Sequence, residues 1–68
     1  IDNPHSAITH LEKYLQSGDK KYEEAAWWYC GLSFMKTKNQ RASKKALEKV
    51  IPFHGEFEQQ ATDLLRKL

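Results

Sequence analysis

Apolar side chains recur along this chain at helical spacing. Ala7, Ile8, Leu11, Tyr14 and Leu15 form one stripe behind Asn3-Pro4, a capping residue followed by a proline whose fixed φ suits the first helical position. Gly18 is placed to end this element, since glycine enters the left-handed conformation at no steric cost. A second helix is expected to start from Asp19 as its cap, with Glu23 and Glu24 near its positive end. Its apolar residues, Ala25 to Cys30 with Leu32, Phe34 and Met35, point in nearly every direction, which predicts a helix at the centre of the packing. Asn39 caps a third helix with Ala42, Ala46, Leu47, Val50 and Ile51 on one face. Pro52 and Gly55 bracket the connection to a fourth, carried by Phe57, Ala61, Leu64, Leu65 and Leu68. The predicted helices span about 4–17, 20–37, 40–51 and 56–68, and no stretch alternates as a strand does. The fold class is therefore all-α, four helices in antiparallel hairpins within a single domain covering residues 1–68.

The pattern also repeats. Leu11-Glu12-Lys13-Tyr14-Leu15 lies over Leu47-Glu48-Lys49-Val50-Ile51 at an offset of 36 residues. Downstream, Tyr22, Ala25, Trp28, Tyr29 and Leu32 fall on Glu58, Ala61, Leu64, Leu65 and Leu68. A period of roughly 20 to 50 residues signals stacked units that bury an apolar face only against their neighbours.

Composition narrows the picture. With 68 residues there is room for one small core, and a hydrophobic fraction of 40% with 12% aromatics is too rich for a disordered chain. The 29% charged residues point to solubility. Cys30 is the only cysteine, so no internal disulfide forms and the redox compartment is left open. The longest apolar run, Ala25 to Cys30, is far shorter than the roughly 18 residues of a membrane span, and no signal-peptide pattern opens the chain. A first residue of Ile1 leads us to expect a segment of a longer protein, with room for a membrane anchor or export signal upstream.

Candidate chemistry is sparse. Glu23 and Glu24 are adjacent and point apart on a helix, Cys30 has no base near it in sequence, and no glycine-rich phosphate loop is present, so no enzyme activity is expected. His5, His10, His54 and Cys30 lack paired zinc spacing, and neither a metal nor another cofactor is expected. Between residues 36 and 49, six cations (Lys36, Lys38, Arg41, Lys44, Lys45 and Lys49) face Glu48 alone, a local excess of five. A basic patch of Lys38, Arg41, Lys44, Lys45 and Lys49 is the footprint a nucleic-acid-binding helix-turn-helix needs. The third helix has no Asn or Gln beyond its start to read bases, so nucleic-acid binding is disfavoured against a solvated face.

Trp27-x2-Cys30-Gly31-x2-Phe34 has the spacing of W-x2-L-G-x2-Y, and on these residues the chain resembles a tetratricopeptide repeat. Gly31 there lets a partner helix approach closely. The second half of such a repeat pairs a small residue with a bulky one four later, either Ala42 with Ala46 or Ser43 with Leu47; the echo selects the latter by superposing Ser43 on Ala7 and Leu47 on Leu11. The resemblance covers essentially the whole chain. It implies a half repeat, a whole repeat and a closing helix in a right-handed superhelical array. The 36-residue period exceeds the usual 34 and Pro52 comes earlier than the family's proline, so atypical connections are expected. The resemblance further implies a non-catalytic protein-interaction scaffold, whose groove on this chain would present Ala25, Trp28, Leu32, Met35 and Lys36 to a peptide or helix of a partner protein. The family's clamp for a peptide carboxylate finds only Lys36 here. The alternative is self-association through the exposed end helices.

Overall fold

In the computed structural model, which describes residues 3–68, the first helix starts where its cap dictates. Asn3 Oδ1 accepts hydrogen bonds from the backbone N–H groups of His5 at 3.0 Å and Ser6 at 3.2 Å, with Pro4 following. Helix α1 runs Pro4–Gln16, and Gly18 beyond it takes a left-handed φ of 86°. The expected start of the second helix is corrected. Asp19 does not cap it, because its carboxylate accepts from the N–H of Lys21 at 2.9 Å inside the turn, a local bond that competes with helix initiation. Helix α2 spans Glu23–Lys36, and the N–H of Tyr22 just before it donates to the Tyr14 hydroxyl of α1 at 2.7 Å.

Asn39 caps helix α3, Gln40–Val50, by accepting from the N–H of Ala42 at 3.2 Å. A 3-10 turn, Ile51–Phe53, takes up Pro52, and His54 follows in a left-handed conformation at φ 51°. Helix α4, Glu58–Lys67, begins after Phe57 and so starts later than the apolar pattern suggests. All regular structure among the described residues is helical.

The largest interface joins α2 to α3, the next α1 to α2, and α4 rests on α3 and the 3-10 turn. Both consecutive pairs run antiparallel. Near the α2–α3 turn the N–H of Asn39 donates to the Phe34 carbonyl at 2.9 Å, while one turn further from it Ser43 reaches back to Gly31. Ser43 Oγ donates to the Gly31 carbonyl at 2.8 Å, and a Cβ built on Gly31 would lie 2.7 Å from Leu47 Cδ2. Ser43 and Leu47 are both fully buried, as is Ala46, whereas Ala42 is only partly so.

Helix α2 lies at the centre of the packing, making both of the larger interfaces as its apolar circumference suggests, while the bulkiest fully buried side chains, Leu47 and Val50, belong to α3. The core cluster is Leu47, Val50 and Ala61, with Trp27, Trp28, Ile51, Phe57, Leu64, Leu65 and the terminal Leu68 packed around it. Helix α2 buries only small residues, Ala26, Cys30, Gly31 and Ser33, and Tyr29 on it is 50% exposed. One of its sides is free.

Because the Gly31–Leu47 approach leaves no room for a side chain, Gly31→Val is expected to destabilise the fold by about 2 kcal/mol or more, whereas Lys45→Val on the exposed face costs about 0.5 kcal/mol. Urea midpoints followed by far-ultraviolet circular dichroism measure both, and equal losses at the two positions contradict the tight seam.

Candidate functional site

The seam between helices α1 and α2 is open on one side. Ala7, His10 and Leu11 of α1 and Tyr29, Leu32, Met35 and Lys36 of α2 enclose about 710 Å³. A neighbouring depression of about 340 Å³ lies among Leu11, Tyr14, Tyr22, Ala25, Ala26 and Tyr29. Leu11 and Tyr29 line both, so the two form one apolar trough along the α1–α2 seam. No carboxylate lines the larger part, while Lys36 and His10 stand on its walls. His10 Nδ1 donates to the Ser6 carbonyl at 2.8 Å, which leaves Nε2 as the free ring nitrogen.

Of the groove residues expected from the sequence, Leu32, Met35 and Lys36 lie on the larger part of the trough and Ala25 on the smaller. Trp28 lines neither. Its ring stacks on Phe57 with centroids 5.6 Å apart and an interplanar angle of 20°, so it joins α2 to the start of α4. Tyr29 takes the position at the trough and meets Phe57 edge-on, at 6.2 Å. Sequence reasoning passed over Tyr29 as a groove residue, although Tyr29, Leu32 and Lys36 share a helix face as well as Trp28, Leu32 and Met35 do. Only the place where Phe57 docks separates the two stripes.

Glu24 has a role that local sequence does not show. Its Oε2 accepts from the N–H of Phe57 at 3.2 Å, placing negative charge at the start of α4, whose own flanking residue makes no capping bond. Gly55 makes room for it, since a Cβ there would collide with the Glu24 carboxylate. The basic residues Lys38, Arg41, Lys44, Lys45 and Lys49 are all exposed and none lines the trough. The His54 ring instead meets the Glu58 carboxylate, Nδ1 to Oε2 at 3.2 Å.

Proton or metal chemistry has little to work with. Among the described residues no three of His, Cys, Asp and Glu gather as metal ligands, and no helix is long and apolar enough to cross a membrane. Cys30 is 1% exposed, and burial, with a smaller contribution from the Glu12 charge, pushes its thiol up to about 11. It is held neutral and away from reactants near pH 7. What the arrangement offers is apolar contact with a cationic edge. No family model matches the chain, and no curated protein or solved structure does so either.

Glu24→Ala is expected to cost about 1 kcal/mol through loss of the α4 cap, read as a lowered urea midpoint. For Cys30, folding favours the neutral thiol, so its contribution is complete below about pH 9 and is lost as pH rises toward about 11. Urea unfolding from pH 8 to 11 should therefore fall more steeply for the wild-type chain than for Cys30→Ala, and parallel profiles contradict the assignment.

Proposed function

We propose that this chain is a non-catalytic interaction scaffold, a short tetratricopeptide-like array of helical hairpins, which holds an apolar peptide or helix of a partner protein in the trough on α2. The observation that carries this reading is the trough itself, a contiguous apolar surface formed by two helices that other contacts hold in place. Supporting the repeat reading, Gly31 lies at the closest approach of α2 and α3, the place the W-x2-L-G-x2-Y signature reserves for a residue without a side chain.

The mechanism is passive. Both walls are helical before binding, so little scaffold entropy is lost on association. Leu11, Tyr29, Leu32 and Met35 supply apolar contact, worth about 25 cal/mol for each Å² removed from water. Lys36 orients an acidic group on the ligand. Tyr29 is the aromatic anchor in place of Trp28, whose face is occupied by Phe57.

A displayed library of random 20-residue peptides selected on the folded chain should enrich apolar, helix-forming sequences. Their binding should drop by about tenfold or more, some 1.4 kcal/mol, in the surface double variant Leu32→Lys, Met35→Lys. Failure to enrich, or enriched peptides that bind the double variant as well as the parent, overturns the reading.

A further inference from the structure

We propose that the outer face of α3 binds the phosphate backbone of a nucleic-acid duplex, without regard to base sequence. This surface is separate from the trough, so the inference goes beyond the scaffold reading and does not depend on it.

Packing creates the face. The rotation that buries Ser43, Ala46, Leu47 and Val50 turns Arg41, Lys44, Lys45 and Lys49 outward, and all four are exposed. Lys38 joins them from the turn just before the cap, where its N–H donates to the Met35 carbonyl at 3.0 Å and its φ is 62°. Arg41, Lys45 and Lys49 stand four residues apart, so they form a row that rises about 6 Å per step along one side of a helix. Lys44 flanks that row. Glu48 is the only acidic residue of α3, and among the described residues none of these cations is paired with a carboxylate. Their charge faces solvent.

The character of the face selects its ligand. From Arg41 to Lys49 every exposed side chain is charged, with no aromatic or aliphatic anchor among them. An acidic peptide would gain only exposed ion pairs, each weak and screened by salt, without the aromatic contacts that carry most protein interfaces. An anionic membrane would find no side chain here to bury at its acyl boundary. A duplex differs, because it carries about one charge for every 1.7 Å of its axis and condenses counterions that leave when the cations of a protein replace them. Charge alone then gives affinity. The absence of Asn and Gln beyond the start of α3, which argues against base reading, leaves contact with the backbone untouched.

The test titrates the whole chain into a labelled DNA duplex of about 20 base pairs and follows fluorescence anisotropy from about 25 to about 150 mM salt. Saturable binding is expected, with log K falling against log salt at a slope of about −4.5, or about 0.9 for each of five phosphates contacted. A second duplex of unrelated sequence should bind within about twofold. Lys45→Ala and Lys49→Ala should each flatten the slope by about one, and Arg41→Glu combined with Lys45→Glu should abolish binding while the helical signal stays intact. Lys20→Ala combined with Lys21→Ala removes two charges from the α1–α2 turn and should leave binding within about twofold. No binding at the lowest salt overturns the proposal. So does an equal loss in the Lys20, Lys21 variant, because net charge and not this face is then responsible. Tighter binding to phosphatidylserine vesicles or to polyglutamate than to the duplex also overturns it, and assigns the face to a membrane or an acidic protein. The peptide selection at the trough decides the scaffold reading separately, so the two fail independently.

Discussion

The whole arrangement depends on how closely α3 can approach α2. Gly31 removes the one side chain that would keep them apart, Leu47 occupies the space, and the Ser43 hydroxyl returns its hydrogen bond to the Gly31 carbonyl. A buried hydroxyl without a partner costs about 1–3 kcal/mol, a large fraction of what so small a domain can hold, so the 2.8 Å bond matters as much as the apolar contact. With this seam closed, Val50 and Ala46 turn inward, and Ala61 of α4 completes the cluster.

Closing that seam also decides what stays open. Helix α2 gives its Gly31 side to α3 and the ring of Trp28 to Phe57, and Glu24 anchors the start of α4. Its remaining side meets α1, where the Tyr22 N–H donates to the Tyr14 hydroxyl at one end and Leu11, Tyr29, Leu32 and Met35 line the open trough along the rest. The outer faces of α3 and α4 are charged, with Arg41, Lys44 and Lys45 on one and Asp63, Arg66 and Lys67 on the other. Of the exposed large apolar residues, Tyr22 and Tyr29 lie at the α1–α2 seam and Phe53 on the 3-10 turn.

Much of this was legible in the sequence where the cause is local. Asn3-Pro4, Gly18 and Asn39 act within one or two turns of themselves, and each does what its chemistry implies. The Ser43–Leu47 register was also readable, because the 36-residue echo carries information about packing that a single helix does not. What escaped depends on residues distant in sequence. Asp19 had two acceptable local bonds and chose the turn; Glu24 serves a helix 33 residues away; and Tyr29 replaces Trp28 at the trough because Phe57 covers Trp28. An apolar helix circumference likewise did not reveal which side would lack a neighbour.

The most direct measurement of the central claim is a nuclear Overhauser spectrum of the methyl-labelled chain. The account predicts strong cross-peaks between the Leu47 methyls and the Gly31 α-protons, and cross-peaks from the Leu11 methyls only to residues of α1 and α2. Absence of the Gly31–Leu47 contact, or Leu11 cross-peaks to α3 or α4, would contradict a tight α2–α3 seam that leaves the trough open.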